Sequence, residues 1–399
     1  MSALEEILRV AARGDGVTAS GRHVALTAPG DLVAADGGIT PGPHHMVPPC
    51  RHFPECGGCQ LQQLDEETLA RFVGERVSNA VDGQHLAVPA AVPVHLSPPR
   101  TRRRAGLHAA RRGGAIEIGF HEAGSHRIVD LRECHVLAPE LFALVAPLRK
   151  MLSRQPGKIA VDAELTLTDQ GVDLALKGLS VEGLSAIEAL LDFARTQGLA
   201  RLTLDQGYGP EATWEPEPVT VTLGGVPVPL PPGSFLQATA DGEAALIAAA
   251  REWLAGAATI ADLFAGLGTF AFALAGPAKV LAVEAAQAAH LACKAAAGRS
   301  GKPVHALHRD LFRNPLQPAE LDRFAAVLLD PPRAGARDQI AHIAKSVVPR
   351  VVYISCNPAS WARDAATLVA GGYRLAQLRA VGQFRWSTHV ELASLFVRA

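Results

Sequence analysis

Two residues near the C-terminus could make and break covalent bonds. Cys356 lies in RVVYISCNPASWARD (350–364), where Val351, Val352, Tyr353 and Ile354 read as a buried strand. Pro358 prevents that strand from continuing, and Ser360 could cap a helix starting near Trp361. The thiol therefore sits at the C-terminal tip of a strand, where open α/β sheets put their ligands. The competing reading is a small buried thiol closing a core strand. Glu391, in THVELASLF on the last expected strand, is a carboxylate that could take up a proton, or an ordinary exposed strand residue.

A second group of thiols has the spacing of an inorganic site. Cys50, Cys56 and Cys59 follow C-x5-C-x2-C, and Gly57 and Gly58 let the backbone wrap tightly between them. Cys134 is the expected fourth member, because the remaining cysteines lie far along the chain. Four thiolates can close a zinc site or a [4Fe–4S] cluster. Zinc sites usually come as two short pairs, and only one is present, which favours the cluster. With every iron held by a thiolate, no open position remains for radical chemistry.

Between the third and fourth of these cysteines the chain becomes basic. From Arg100 to Arg127 there are seven arginines against Glu117 and Glu122, a local charge of +5 in a protein of net charge −1. A solvated face is one explanation. The other is phosphate contact by Arg100, Arg102, Arg103, Arg104, Arg111 and Arg112, so this stretch is expected to meet RNA or DNA.

The elements that must carry these groups divide the chain into three. Residues 1–49 hold short strand-like pieces (Arg22–Leu26, Asp31–Ala34) and end in a linker-like ITPGPHHMVPP. Residues 50–230 form an α+β region containing the cysteines and arginines, with strands at Ala160–Thr166, Val172–Leu176, Arg201–Leu204 and Val219–Leu223 and a helix near Val181–Gln197. Residues 231–399 alternate strand and helix as a doubly wound, Rossmann-like parallel sheet does.

That last region carries a nucleotide-site pattern. Asp262-x-Phe264-x-Gly266-x-Gly268 lacks the third glycine of a dinucleotide fingerprint, which suits a ligand without a pyrophosphate. S-adenosylmethionine is such a ligand. Glu284, ending the second strand, could take its ribose hydroxyls, and Asp310 after the third strand would flank its adenine. Asp330-Pro331-Pro332-Arg333 has arginine where amino-group methyltransferases generally have an aromatic residue. The chemistry left is methylation of carbon 5 of a pyrimidine. A thiolate adds at C6, C5 attacks the sulfonium methyl group, and a base then removes the C5 proton so that the thiol can leave.

Five separated stretches, SCNPASWARD, DPPRAG, DLFAGLGTF, FLQAT and HVE, together with C-x5-CGGC, resemble the bacterial RNA uracil-5 methyltransferases, over roughly residues 50–399. The cysteine set is similar to the branch acting on 23S ribosomal RNA; the tRNA branch generally lacks it. The resemblance implies Cys356 as nucleophile, Glu391 as base, Gln237, Glu284 and Asp330 as S-adenosylmethionine contacts, and Cys50, Cys56, Cys59 and Cys134 as ligands of [4Fe–4S]. It also implies an N-terminal barrel of the TRAM type, which fewer than 50 residues could hold only in abbreviated form. Two stretches depart from the family: Gly382-Gln383-Phe384-Arg385 replaces Asp-x-Phe-Pro, and Phe235-Leu236-Gln237-Ala238-Thr239 replaces FFQ-x-N.

Alternatives are a tRNA uracil-5 methyltransferase, an RNA cytosine-5 enzyme lacking its usual second cysteine, and a non-catalytic iron–sulfur RNA-binding protein. Composition bounds them all: 48% hydrophobic residues and a mean hydropathy of +0.15 fit a globular chain with no apolar run of membrane-spanning length. A cytoplasmic protein without membrane contact or obligatory protein partner is expected.

Overall fold

The computed structural model describes residues 4–84, 86–87 and 92–398. The N-terminal piece is a five-stranded antiparallel sheet spanning Glu5 to Thr40, with the longest strand, Glu5–Val10, at its centre. The two strands expected there are present as His23–Val24 and Leu32–Val33. The stretch expected to be a linker is instead docked: His45 Nδ1 meets Asp31 Oδ2 at 2.7 Å and His44 Nδ1 meets Asp65 Oδ2 at 2.8 Å.

A central six-stranded sheet runs, in spatial order, Pro210–Trp214, Arg201–Asp205, Gly171–Lys177, Ala160–Thr168, Arg104–Arg112 and Ala115–Gly119. The arginine run is thus a strand. Ala105, Leu107 and Ala109 alternate into the core, as period-2 patterning requires. Helices Val145–Ser153 and Leu184–Thr196 pack their apolar faces on this sheet.

The C-terminal domain is built on an eight-stranded sheet: β1 (Val94–Leu96), β2 (Thr259–Leu263), β3 (Lys279–Glu284), β4 (Val304–His308), β5 (Ala326–Leu329), β6 (Arg350–Ser355), β7 (Tyr373–Gly382) and β8 (Glu391–Arg398). Spatial order is β4-β3-β2-β5-β6-β8-β7-β1, with β8 antiparallel to both neighbours. Covering it are α1 (Glu66–Asp82), α2 (Ala240–Trp253), α3 (Thr269–Leu274), α4 (Gln287–Ser300), α5 (Arg337–Lys345) and α6 (Pro358–Ala370). Strands β5 and β6 are buried on both faces, which explains their unbroken apolar sequence.

Packing crosses the expected boundary at residue 231. β1 and α1 come from the region assigned to 50–230, yet β1 pairs with β7 and α1 packs on α6 and β7. The hairpin Thr220–Leu223/Val226–Pro229 likewise contributes Val221, Leu223 and Val228 to the core shared with α3 and α4. Apolar surface decides membership here, and sequence position does not. No described helix is long and apolar enough to cross a membrane.

Candidate active site

β6 and its surroundings hold Cys356 rigidly. Tyr353 Oη donates to Asp364 Oδ2 on α6 at 2.8 Å, and Trp361 Nε1 of the same helix donates to Ser394 Oγ on β8 at 2.9 Å. Ser394 Oγ closes the circuit on Tyr353 O at 3.0 Å, so strand, helix and neighbouring strand are tied together. The helix begins at Pro358, capped by the Asn357 side chain, and not at Trp361 with Ser360 as cap; Ser360 Oγ donates to Asn357 O instead. Asn357 Nδ2 also donates to Arg333 O at 2.9 Å, fastening the thiol's turn to Asp330-Pro331-Pro332-Arg333.

Register brings the carboxylate to the thiol. In the antiparallel β6–β8 pair Ser355 lies opposite Leu392, which leaves Cys356, the residue after β6, near Glu391 at the start of β8. Glu391 is 5% exposed, which removes the reading of it as a surface carboxylate. Burial pushes its proton affinity up to about 7, against the opposing effects of Gln383 and Arg333. The half-buried Cys356 thiol is pushed up to about 11 by burial and by the Glu391 and Asp330 carboxylates, with Arg333 pulling the other way. Burial, then Glu391 and Asp262, hold Asp330 well above the usual carboxylate range. Gln237 Nε2 donates to Asp330 Oδ2 at 3.1 Å.

Next to this lies a cradle formed by the ends of β2, β3 and β4. Glu284 accepts from Gly266 N at 2.8 Å and from Ala286 N at 2.7 Å, which fixes its carboxylate at the mouth of the Gly266 turn. Gly266 has φ +55° with open space where a Cβ would be. Gly268 serves a different purpose from close ligand approach: at φ +93° its Cβ would lie 2.8 Å from Phe272 and 2.9 Å from Cys293 Sγ. Asp262 is fully buried, and burial pushes it up to about 8, with the Ala271 N–H opposing and Glu284 adding to the rise. A buried acid with so little to compensate it is expensive, so its presence fits a polar ligand's being recognised here. Asp310 accepts from Phe312 N at 2.9 Å beside the Phe264–Phe312 ring pair, 5.3 Å between centroids. That aromatic pair is absent from the sequence reading, since nothing local marks two phenylalanines 48 residues apart as partners.

The four cysteines Cys50, Cys56, Cys59 and Cys134 line one cavity with Phe53, Phe120, Leu131, Val136, Gln62 and Arg102. Burial raises the Cys56 and Cys59 thiols to about 11 and about 12, and the neighbouring cysteines add to this. Among the described residues no set of His, Cys, Asp or Glu is disposed about a single metal ion. The loop also reaches the catalytic domain. Gln60 N and Leu61 N both donate to Trp386 O, at 2.7 and 3.0 Å, and Trp386 has a left-handed φ of +59°.

The arginine stretch is mostly spent inside the protein. Arg103 pairs with Glu243 at 2.7 Å and donates to Gln237 O. Arg111 donates to the carbonyls of Leu152, Ser153 and Gln155. Arg112 lies 3.5 Å from Glu117. Arg102 donates to Arg104 O and lies over the Phe384 ring, 5.3 Å from its centroid, at the wall of the cysteine cavity. Arg102, Arg103 and Arg111 are committed to these partners, whereas the Arg112 side chain is 48% exposed. Arg100 is exposed, and Arg104 lies over the exposed Phe235 ring at 5.8 Å; these two and Arg112 remain available.

Comparison with known proteins agrees with this architecture. The sequence model of the tRNA (Uracil-5-)-methyltransferase family matches residues 304–399. An uncharacterised RNA methyltransferase of Zymomonas mobilis is 47% identical over 397 residues, 99% of this chain and 100% of its own. The 23S rRNA (uracil(1939)-C(5))-methyltransferase of Edwardsiella ictaluri is 34% identical over 371 residues, 90% of this chain and 84% of its own. The tRNA (uracil-54, C5)-methyltransferase of Pyrococcus abyssi, solved with S-adenosyl-L-homocysteine, shares the fold: TM-score 0.77 at 22% identity, across 99% of this chain and 100% of that one. A thiol and a buried carboxylate in register at the tips of β6 and β8, in a chain so closely related to these enzymes, mean that it belongs to the RNA (uracil-5)-methyltransferase family.

Proposed function

We propose that this enzyme methylates carbon 5 of a uridine in 23S ribosomal RNA, through a covalent bond between Cys356 and C6 of the base. The observation that carries the reading is the placement of Cys356 directly after the Ser355–Leu392 pair that ends the β6–β8 ladder, where the Glu391 and Asp330 carboxylates bear on its thiol. S-adenosylmethionine, as methyl donor, supplies an electrophilic methyl group. Asp262, Gly266, Gly268, Glu284 and Asp310 would line its site, Glu284 toward the ribose and Asp310 toward the adenine, with Gln237 and Asp330 between it and the base. The relative from Edwardsiella ictaluri supports ribosomal RNA as substrate at 34% identity.

The residues divide the work by chemistry. Cys356 must attack as thiolate, and Arg333 is the cation that lowers its proton affinity. Sulfur bonds to C6, electrons move to the O4 side of the ring, and C5 becomes the nucleophile. Glu391, with a proton affinity near neutral, can be ionised when the C5 proton must be removed. Its loss restores the double bond and expels Cys356 as thiolate. Because the base must leave its stack to reach a half-buried thiol, a loop uridine is the expected target.

In the same reading Cys50, Cys56, Cys59 and Cys134 hold a [4Fe–4S] cluster whose role is to order their loop. Incubating the purified enzyme with methyl-labelled S-adenosylmethionine and deproteinised 23S rRNA or tRNA tests the substrate. Label recovered as 5-methyluridine in 23S rRNA is expected. Label confined to tRNA would move the enzyme to the tRNA branch, and none in either RNA would overturn the reading.

A further inference from the structure

Gln237 reaches the active site from a stretch that is neither helix nor strand, so its place depends on what binds that stretch. Both ends of its amide are engaged: Nε2 donates to Asp330 Oδ2 at 3.1 Å, and Oε1 accepts from Gln383 Nε2 at 2.9 Å. Its main chain is held from the central sheet. Arg103, immediately before the strand Arg104–Arg112, donates through Nε to Gln237 O at 3.1 Å. Through Nη2 it donates to Glu243 Oε2, in the first turn of α2, at 2.7 Å. The Arg103 main chain joins this to the sheet: its N donates to Ala238 O at 2.9 Å, and its O accepts from Leu167 N at 2.8 Å. One arginine thus ties together the central sheet, the stretch carrying Gln237 and α2.

The two charges are largely withdrawn from solvent, with side chains 15% and 10% exposed. Desolvating both offsets much of their attraction, so the pair is a poor stabiliser in itself. What it secures is geometry. Glu243 supplies the counter-charge that lets a guanidinium sit in the interior, and the planar fork of that guanidinium serves a carboxylate and a main-chain carbonyl at once.

We propose that Arg103 is a positioning residue for S-adenosylmethionine binding: by holding Gln237 O it fixes where the Gln237 amide meets Asp330, with Glu243 as its counter-charge. The inference rests on the reading of Gln237 and Asp330 as cofactor contacts. It gives an arginine from the basic stretch a task inside the protein in place of phosphate contact. The Arg103 main-chain bonds to Ala238 and Leu167 do not depend on the side chain, so a substitution there removes the fork and leaves the stretch docked.

The test is calorimetric titration of the RNA-free enzyme with S-adenosyl-L-homocysteine, beside its melting temperature, for three variants. Arg103→Met leaves Glu243 buried without its cation and Gln237 O without its donor. Its melting temperature should fall, and its Kd should rise roughly three- to tenfold. Glu243→Gln loses the charge but keeps an oxygen for Arg103, so its melting temperature should fall while Kd stays at the parent value. Arg103→Met/Glu243→Leu removes both charges and fills their space with apolar groups. Its melting temperature should recover, yet its Kd should stay as high as in Arg103→Met. Unfolded protein lowers the number of sites titrated and not their affinity, so instability cannot imitate the rise. An unchanged Kd in Arg103→Met, or a Kd restored together with the melting temperature in the double variant, overturns the inference. A parent that fails to bind the probe sinks the cofactor reading and the inference with it, whereas binding indifferent to Arg103 sinks the inference alone.

Discussion

At the residue scale, chemistry is set by how burial loads one thiol and three carboxylates. Cys356 at about 11 is a reluctant nucleophile in the RNA-free enzyme, held back by desolvation first and by Glu391 and Asp330 next. Alkylation of Cys356 by iodoacetamide, followed by peptide mass spectrometry, should therefore rise through a midpoint near pH 11; a midpoint at the ordinary thiol value near 8.5 would show the site to be wetter than described. Arg333→Gln should push that midpoint higher still and slow the first covalent step. Cys356 and Glu391 were legible in the sequence because each is a reactive type at the end of a recognisable strand. Gln383 was not, because its partner Gln237 lies 146 residues away and no periodicity records such a hydrogen bond. Three inward-turned arginines, Arg102, Arg103 and Arg111, were hidden for the same reason: composition counts charges, while Glu243 and the carbonyls after Leu152 that neutralise or bind them lie elsewhere in the chain.

At the element scale, the cysteine loop and the turn between β7 and β8 act as one piece. Gln60 and Leu61 bind Trp386 O directly after Cys59, and Trp386 lies five residues before Glu391. A bound cluster would hold that loop, since metal binding and local folding are coupled. Anaerobically purified protein should carry about four irons per chain. Cys59→Ser should lower that content and speed amide hydrogen exchange across 383–390 while leaving β2 and β3 protected; unchanged exchange there would mean that the loop does not support the turn. The arginine strand yields a second contrast. Arg111→Met should lower the melting temperature, because three carbonyls lose their donor, and should leave the salt dependence of RNA binding alone. Arg100→Ala should do the reverse, cutting the salt slope by about one. The βαβ alternation that places β2 to β6 was plain from the sequence, since buried parallel strands read as apolar runs. The strand Arg104–Arg112 was hidden because arginine and histidine occupy its exposed positions.

At the scale of the whole molecule, the catalytic domain borrows β1, α1 and a hairpin from the chain before it, which the sequence could not disclose because β1 is only three residues long. Stability carries the signature of the site. A carboxyl whose proton is held more tightly in the folded chain contributes fully below its unfolded value of 4.5, and that contribution is lost as pH rises through about 7. For buried Glu391 the loss is roughly 3 kcal/mol. Glu391→Gln should therefore raise the melting temperature of the RNA-free protein at pH 8 relative to the parent and make little difference at pH 4.5. Equal melting temperatures at pH 8 would mean that Glu391 is better solvated than its burial implies. The account's central claim is the covalent bond to carbon 6, and one measurement addresses it most directly. A 23S rRNA fragment containing 5-fluorouridine is incubated with the enzyme and S-adenosylmethionine, then denatured, digested and mapped by mass spectrometry. Fluorine cannot leave as a cation, so elimination should fail and the base, already methylated, should remain attached to the peptide bearing Cys356. The account predicts that species in the parent and none in Cys356→Ala. No adduct in an active parent, or methyl transfer by Cys356→Ala, would contradict it.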